Sequence, residues 1–493
     1  MNIGLRIPYK KIILIFIVII SLLMHYPHFS KDLMGVHVWR QTQTQSTINN
    51  FYEDNMNILQ PTRNERENGD GIFRMEFPLM QWLVAATFKI FGNHIIVTRI
   101  FMFIIGLLTV LGIYKLLESL FQNTTIAILG AWAFNFSPGF YYYTINPIPD
   151  NFALFCSIWG IALFFMWYRN SKTYLLLLSG FLLSLGALCK LPFVLYYIVP
   201  FTYFILIVKE KGLNSETFFR FSGAFAFILL PFAWYIQVVP QWGGNGIVNG
   251  IFDNRISFVL FLDYLQHNLI SALPELLLNY GSVLFFISGF YFLYKRVAYK
   301  NRLFPLMIAW SLAILGYFLF EINMIAKIHD YYLFPFYPLL FILVGYGAYH
   351  LLNQKNKYIR YLSVLLLLIL PVTAYLRMYN RWNPATPGFN SDLLSYKNEL
   401  RKAVPDSALC VVGNDNTHFV FYYYIHKKGW GFDNDNLSSQ QLGEMIGNGA
   451  AYLYSDSRRV DTSNAFSAYF DTLMLEKGSI RVYKLKKADN PQN

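Results

Sequence analysis

The chain is poor in cysteine and in charged residues. Its 493 residues include three cysteines, which are too few for a disulfide framework and form no zinc-ligand spacing. Only 14% of the residues are charged, whereas a typical soluble domain has about 25%. Hydrophobic residues make up 55% of the chain, and the mean hydropathy is +0.36. Most of the chain is therefore predicted to be surrounded by lipid.

Several kinds of motif are also missing. No run of basic residues stands beside a pattern typical of RNA- or DNA-binding proteins, so the net charge of +12 does not indicate a nucleic-acid partner. The C-terminal part shows no glycine-rich nucleotide-binding motif, because the glycines in GNDN and GNGA mark turns. No internal repeat is visible. No small-residue cleavage site follows the first apolar segment, which is predicted to be a retained membrane anchor.

Long apolar segments recur along the first three quarters of the chain. A transmembrane helix needs roughly 20 apolar residues, and this length predicts about eleven membrane helices. A shorter apolar stretch at 77–92 is expected to lie along the membrane surface or to re-enter the membrane. The eleven predicted helices are 12–29, 95–117, 124–141, 151–168, 173–189, 191–208, 218–239, 276–294, 303–320, 331–351 and 358–377.

The positively charged residues indicate how the chain is oriented. Lys and Arg gather in short cytoplasmic loops, and here they precede the first helix and recur in alternate loops. The protein is therefore predicted to be a multi-pass protein of the cytoplasmic membrane with its N-terminus inside. The segments predicted to lie outside are the first loop at about 30–94, the segments 141–150, 240–275 and 321–330, and the C-terminal part.

From about residue 380 the composition is that of a water-soluble domain. The chain is thus predicted to consist of a membrane domain, 1–379, and an extracytoplasmic α/β domain, 380–493, which is expected to act as a lid or an acceptor-binding module. Ser391 is predicted to cap the first helix of this domain. The predicted helices are 391–404, 417–428 and 438–449, the last also with a serine cap, and the predicted strands are 408–415, 451–456 and 479–487.

The polar segment 35–82 is the first candidate for a functional site. It holds Arg, Asp, Glu, His, Asn and Gln between two apolar segments, and we expect it to form the floor of an active site at the membrane surface. The planar guanidinium of Arg40 suits a phosphate group, although Trp39 and Arg40 are equally typical of an interfacial helix anchor. The side chains from Thr42 to Gln45 suit sugar hydroxyls or a solvated loop.

Two acidic residues lie where outer segments turn back into apolar sequence. Glu76 needs a partner, because an unpaired carboxylate is costly to bury. Arg74 is one candidate partner, and the alternatives are that Glu76 binds a divalent cation or carries a proton. Asp150 ends the sequence NPIPD at the mouth of a helix, where it either caps the helix or belongs to a site.

Other polar residues are predicted on the same outer face. Lys190 lies at an outward turn, where it either snorkels to the interface or reaches a lipid phosphate. Acids, histidines and cations that converge there predict an anionic lipid headgroup as ligand and a divalent metal ion as the candidate cofactor. The further candidates for substrate binding are Arg255, Lys327, Asp330 and Tyr331, and the candidates for metal binding are Glu76, His267 and His329.

Taken in order, these motifs resemble segments of the GT-C membrane glycosyltransferases. The similarity is to the family 39 group, which is related to protein O-mannosyltransferases and to the aminoarabinose transferase of lipid A, and it extends to about residue 350. It implies a sugar donor on a polyprenyl phosphate, an acceptor hydroxyl of a lipid, glycan or protein outside the cytoplasmic membrane, and inversion at the anomeric carbon. The matching segments are WRQTQTQSTINNFYEDNMNILQP, EFPLMQWLVAATFKIFGNH, INPIPDNFALF, LGALCKLPFVLY and HDYYLFPFYPLL.

The resemblance also implies roles for individual residues. The catalytic base in the first outer loop of the family corresponds to Gln43, and an amide does not accept a proton at neutral pH. Glu76 or Asp150 is therefore expected to act as the base. Glu76 matches a position that binds a metal ion in the lipid A branch, together with a histidine that His267 or His329 would supply. Two other hypotheses stay open, namely a non-catalytic relative that binds a lipid-linked sugar and a transporter of lipid or solute.

Overall fold

Long apolar helices make up most of the computed structural model, which describes residues 7–66, 69–242, 256–296, 303–433 and 435–487. Within these ranges, eight helices are long and apolar enough to cross a membrane. The prediction of a polytopic helical membrane protein is therefore confirmed. The eight helices are Lys11–His28, Ile95–Phe121, Pro149–Asn170, Leu191–Lys211, Ser215–Trp242, Leu303–Phe320, Asp330–Leu352 and Lys357–Trp382.

The predicted number of about eleven spans is not confirmed. The other three segments form shorter apolar helices, Thr124–Asn135, Thr173–Cys189 and Val283–Lys295. The apolar stretch at 77–92 forms a helix of 13 residues, Leu79–Phe91, which is shorter than the roughly 20 residues that a membrane crossing needs.

Proline divides several of the apolar segments into consecutive helices. Pro138 begins a short helix directly after Thr124–Asn135, and Pro192 lies in a 3₁₀ helix between two α-helices. Proline is tolerated in the first turn of a helix but not in its interior, because it lacks a backbone N–H. In chain order the α-helices are Ile7–His25, Val38–Glu53, Leu79–Phe91, Ile95–Phe121, Thr124–Asn135, Pro138–Tyr143, Pro149–Asn170, Thr173–Cys189, Ile198–Lys211, Ser215–Ala226, Leu229–Val238, Phe258–His267, Val283–Arg296, Leu303–Phe320, Ile322–Ile325, Tyr337–Leu352, Lys357–Met378, Ser391–Ser395, Lys397–Lys402, Phe419–Ile425, Ser439–Gly447, Arg458–Thr462 and Asn464–Ser467.

The chain groups into two compact units. The first falls within Met1–Ser30, Met75–Met80 and Thr98–Tyr379. Residues 35–74 of the polar segment belong to the second unit, together with the C-terminal part. Glu76, near the end of the same segment, belongs to the first unit. The second unit falls within Lys31–Arg74, Gln81–Val97 and Asn380–Asn493.

Helices of the first unit approach one another closely at glycines. A Cβ atom added at Gly347 would collide with the backbone of Phe285, and one added at Gly289 would collide with the backbone of Leu343. Small residues let the backbones of membrane helices come together in this way. The helices Val283–Arg296 and Tyr337–Leu352 are therefore packed through their backbones.

The second unit is built around a five-stranded sheet. Its order is β2-β1-β3-β5-β4, in which β1 pairs in parallel with β2 and β3, while β5 pairs antiparallel with β3 and β4. The predicted α/β architecture is thereby confirmed. The strands are β1 Leu409–Gly413, β2 Lys428–Gly431, β3 Tyr452–Ser455, β4 Phe470–Lys477 and β5 Ile480–Leu485. The sequence did not predict β2, whose four residues include two glycines, or β4, which is an edge strand.

The predicted helices of this unit are present with different boundaries. The segment 391–404 forms two short helices, and the first is capped by Asn390, whose side chain accepts a hydrogen bond from the backbone N–H of Asp392. The prediction that Ser391 is the cap is therefore wrong. The serine cap of the last helix is confirmed, because Ser438 and Gln441 form a reciprocal capping box there.

The polar segment is held in the second unit by apolar and backbone contacts. Leu33 and Val38 lie in the same buried cluster as Val412 of β1. The hydroxyl of Tyr424 donates to the carbonyl oxygen of Leu33 at 2.5 Å. Because Val38 lies near the start of the polar segment and Leu33 shortly precedes it, these contacts join the beginning of that segment to the core of the C-terminal sheet.

Candidate active site

The first unit places one lysine at a break between two helices. The helix Thr173–Cys189 is followed by Lys190, whose backbone is extended with φ −159° and ψ 109°, and the 3₁₀ helix Leu191–Tyr197 begins at the next residue. Pro192 lies in the first turn of that 3₁₀ helix and has no backbone N–H with which to continue the preceding α-helix. The side chain of Lys190 therefore leaves the chain where the helix stops.

Lys190 contacts two carboxylates that are distant in sequence. Its Nζ lies 3.2 Å from Oε1 of Glu76 and 3.6 Å from Oδ1 of Asp150. The side chains are 11%, 9% and 2% exposed, respectively. Lys190 is thus buried and paired, so the alternative in which it snorkels to the interface is not what the structure has. We call these three residues the carboxylate–lysine cluster.

Two tyrosine rings complete the surroundings of the ammonium group. Nζ of Lys190 lies 4.9 Å from the ring centre of Tyr332 and 5.9 Å from that of Tyr331. A cation within about 6 Å of an aromatic face is attracted by the ring quadrupole. The structure therefore brings Tyr331, a predicted substrate-binding residue, next to the carboxylate–lysine cluster.

Backbone contacts on both sides of Glu76 fix its position. The backbone N–H of Phe77 donates to the carbonyl oxygen of Leu188 at 3.1 Å, which ties the segment to the end of the helix that precedes Lys190. On the other side, the indole N–H of Trp234 donates to the carbonyl oxygen of Met75 at 3.0 Å. Glu76 is therefore held between two helices.

Asp150 lies in the first turn of the helix Pro149–Asn170, where the N-cap residue is Ile148. The alternative in which Asp150 is itself the cap is therefore wrong. The loop that precedes it is fixed by Arg99, whose guanidinium donates to Oδ1 of Asn146 at 2.8 Å. The amide of Asn151 donates to the carbonyl oxygen of Tyr143 at 2.5 Å. These contacts fix the loop that leads into the helix and so help to hold Asp150 at its buried position.

Glu76 and Lys190 line a cavity of about 390 Å³. Most of its wall is apolar or aromatic, and Glu321 is its third acidic or basic residue, after Glu76 and Lys190. Burial raises the pKa of Glu321, although the charge of Lys190 counteracts the shift. The sequence marks Glu321 only by its position directly after the apolar segment 303–320, and it was not among the predicted site residues. The remaining residues of the wall are Met75, Leu191, Pro192, Val194, Leu195, Tyr235, Val239, Trp242, Tyr317, Phe320, Met324 and Tyr332.

Asp330 and His329 make other contacts in the first unit. The hydroxyl of Tyr143 donates to Oδ1 of Asp330, and the Tyr143 ring packs edge-on against Tyr331 with centroids 6.0 Å apart. Nδ1 of His329 lies 2.6 Å from the carbonyl oxygen of Met324. Asp330 is thus linked to the cluster through two tyrosine rings.

The described side chains do not form a metal site around Glu76. In the ranges that the structure describes, no group of three histidine, cysteine, aspartate or glutamate side chains lies close enough together to hold a metal ion. Glu76 contacts the Lys190 ammonium group at 3.2 Å, and a protonated amine is not a metal ligand. Metal binding by Glu76 with His267 or His329 stays a prediction.

The remaining predicted residues lie elsewhere. Lys327 pairs with Asp263 at 2.7 Å, and both side chains are nearly half exposed. Trp39, Arg40 and Gln43 belong to the second unit, on the helix Val38–Glu53. There, Arg40 donates to Oε1 of Gln43 at 2.5 Å, so the Gln43 carbonyl holds the guanidinium in place. His267 ends the helix Phe258–His267, and Arg255 lies outside the described residues.

Comparison with known proteins supports the resemblance of this chain to membrane glycosyltransferases. Residues 76–235 match the family described as dolichyl-phosphate-mannose-protein mannosyltransferase, and this range contains the whole carboxylate–lysine cluster. An uncharacterised protein of Aquifex aeolicus (strain VF5) is 28% identical over 360 residues, which cover 71% of this chain and 79% of that protein.

Solved structures of two membrane proteins share the fold. ArnT from Cupriavidus metallidurans bound to undecaprenyl phosphate has 14% identity and a TM-score of 0.63, and the match covers 97% of this chain and 99% of that chain. The Archaeoglobus fulgidus oligosaccharyltransferase in the apo form has 11% identity and a TM-score of 0.60, and that match covers 99% of this chain and 76% of the other. The chain is therefore a multi-pass membrane protein of the GT-C fold, similar to the family 39 glycosyltransferases.

Proposed function

We propose that the chain transfers a hexosyl or pentosyl group from a polyprenyl-phosphate donor to an acceptor hydroxyl on the outer face of the cytoplasmic membrane, with inversion. The observation that carries this proposal is the carboxylate–lysine cluster, which meets an apolar cavity at Glu76 and Lys190. A lipid phosphate has a charged head and an apolar tail. A site for it needs a cation next to an extended apolar surface, and the first unit has both.

A second apolar cavity supports the placement of the lipid tail. Its volume is about 490 Å³, and it shares Leu191, Val194, Tyr235 and Val239 with the cavity of the cluster. The additional wall residues are Ile228, Pro231, Phe232, Ile236 and Pro240. Since the two cavities share one wall, a polyprenyl chain that leaves Lys190 would lie along this apolar surface, where burial of each CH₂ group contributes about 0.8 kcal/mol.

Glu76 is the better-placed base of the two carboxylates. It lines the cavity, whereas Asp150 does not and its side chain is only 2% exposed. In the proposed step the acceptor hydroxyl attacks the anomeric carbon and its proton passes to the Glu76 carboxylate. The bond between the anomeric carbon and the phosphate oxygen breaks, and the electron pair leaves with polyprenyl phosphate. Asp150 orients Lys190 and is a positioning residue.

The same proton transfer prepares Lys190 for the leaving group. While Glu76 is ionised, its carboxylate competes with a phosphate for the ammonium group. Once Glu76 has accepted the proton, Lys190 is available to stabilise the departing phosphate, and this interaction is then strongest in the transition state. Burial raises the pKa of Glu321, the third acidic or basic residue of this cavity, so its carboxyl group is protonated more readily than that of an exposed glutamate.

Mass spectrometry of cell-surface glycans and lipids tests the proposal. Cells that lack the gene should lose one sugar and accumulate a polyprenyl-phosphate sugar, and the wild-type gene should reverse both changes. Glu76→Gln should not reverse them, because an amide does not accept the proton. Glu216→Gln is the matched control, since Glu216 is 69% exposed on another helix, and it should restore the sugar fully.

Two results would contradict the proposal. Full restoration by Glu76→Gln would show that Glu76 is not the base. An unchanged set of glycans and lipids in cells without the gene would favour a non-catalytic relative. One observation supports that second hypothesis: Gln43 occupies the position of the base in the first outer loop of the family and is bound by Arg40.

A further inference from the structure

A polar cleft lies wholly within the second unit and has no part in the proposed transfer step. Its volume is about 390 Å³, which is within the range of about 300–1,000 Å³ for small-molecule sites. It lies between the C-terminal end of the helix Val38–Glu53, the segment that leads into β1 and the turn before β2. Its lining residues are Asn50, Glu53, Asp54, Asn64, Arg66, Asp406, Ser407, Ala408, Leu409, His426, Lys427 and Lys428.

Buried amide groups form one part of this lining. Asn50 is 4% exposed and Asn64 is 8% exposed. Nδ2 of Asn50 donates to Oδ1 of Asn64 at 3.0 Å and to the carbonyl oxygen of Thr62 at 3.1 Å. These two hydrogen bonds fix the orientation of both side-chain amide groups. In the part of the chain that the structure describes, Oδ1 of Asn50 and Nδ2 of Asn64 form no hydrogen bond with protein, so one acceptor and one donor remain for a ligand.

The charges around the cleft are balanced. Three carboxylates and three permanent cations line it, and the formal charges cancel when His426 is neutral. Each carboxylate is paired with a basic side chain. The pairs are Glu53 with His426 at 3.3 Å, Asp54 with Lys428 at 2.5 Å and Asp406 with Lys427 at 2.8 Å.

This composition selects the class of ligand. A phosphate or carboxylate that binds Lys427 or Lys428 would have to displace Asp406 or Asp54. The third lining cation, Arg66, donates to the backbone carbonyl oxygen of Asp70 at 3.4 Å, so anion binding there is the alternative that inorganic phosphate tests. An apolar ligand would leave polar groups without hydrogen-bond partners, because ten of the twelve residues that line the cleft are polar or charged. A hydroxyl group both donates and accepts hydrogen bonds, so it can bind to the carboxylate, amide and ammonium groups of this lining without separating the ion pairs.

We propose that this cleft binds an uncharged, hydroxyl-rich saccharide and that the saccharide is part of the acceptor. The assignment to the acceptor rests on the proposed function, whereas binding of the saccharide does not. The cleft then selects which glycan is modified, and the carboxylate–lysine cluster performs the transfer.

Saturation-transfer NMR on the full-length protein in detergent tests saccharide binding. The probes are free hexoses and pentoses and their methyl glycosides. Ser407→Trp fills the cleft from an exposed position and should weaken binding at least tenfold. Thr472→Trp is the matched control, because Thr472 is an exposed polar residue on β4 outside the cleft, and it should bind as the wild type does. Asn64→Leu, which removes the buried amide, should also weaken binding at least tenfold.

Three outcomes would overturn the inference. The first is that no probe binds the wild-type protein, or that every probe binds Ser407→Trp as well as it binds the wild type. The second is that inorganic phosphate binds in the cleft and displaces the sugars, because the cleft would then be an anion site. The third concerns the acceptor, whose KM should rise at least tenfold in Ser407→Trp with little change in kcat; an unchanged KM would remove that assignment. Glu76→Gln should leave saccharide binding unchanged, so failure of the proposed transfer mechanism and failure of the cleft are distinguishable.

Discussion

Replacement of Lys190 by glutamine tests the central electrostatic argument. The variant removes the positive charge that faces Glu76 and Asp150 at 3.2 and 3.6 Å. At an effective dielectric constant of about 20, each contact corresponds to roughly 5 kcal/mol of attraction. Desolvation of the three groups offsets much of this, and removal of one partner from a buried ion pair costs about 3–5 kcal/mol. We expect Lys190→Gln to lower stability by that amount, and Lys190→Arg to lower it much less.

The measurement is thermal unfolding of the purified protein in detergent, with transfer activity measured in parallel. Addition of Glu76→Gln to Lys190→Gln removes one of the two uncompensated carboxylates, so the double variant should recover roughly half of the lost stability. It should not recover transfer, because both the proposed base and the phosphate-binding cation are then missing. If Lys190→Gln unfolds at the wild-type temperature and the double variant gains nothing, Lys190 does not hold the carboxylates and the proposed mechanism is wrong.

Three further predictions concern pH, capping and packing. Burial lowers the pKa of His418, but the hydrogen bond to Glu65 and the charge of Glu65 raise this pKa above 6.5 overall. Burial raises the pKa of Glu65, but the hydrogen bond to His418 and the charge of Arg63 lower that pKa below 4.5 overall. The His418 contribution is lost as the pH rises through its raised pKa, and the Glu65 contribution is lost as the pH falls through its lowered pKa. The stability difference between wild type and Glu65→Gln should therefore be largest between about pH 4.5 and 6.5 and should shrink above that range; a difference that grows up to pH 9 would contradict the pairing. Ser438→Ala removes the capping box and should cost about 1 kcal/mol in a thermal unfolding experiment, and an unchanged melting temperature would show that the cap is dispensable. Gly347→Ala places a methyl group against the backbone of Phe285 and should cost about 1–3 kcal/mol, which the same measurement would refute if the variant were as stable as wild type.

The sequence by itself determined the class of the protein. Hydropathy and segment length are local properties, so they indicate membrane helices without knowledge of how these pack. Strand and helix patterns after residue 380 predicted the α/β character of the C-terminal part for the same reason. The order of the motifs was sufficient to recognise the GT-C fold. The predicted number of spans is not confirmed, because proline and short helices divide apolar stretches such as 124–143.

Only the tertiary structure decided which candidates act together. Glu76 and Lys190 are 114 residues apart, and local sequence gives no sign that they are partners. The same holds for Glu321, which reaches the cavity through the packing of other helices, and for Leu33, which joins the core of the C-terminal sheet. Pairing of charges depends on long-range packing, since the energy of an ion pair is set by distance and burial and not by sequence separation.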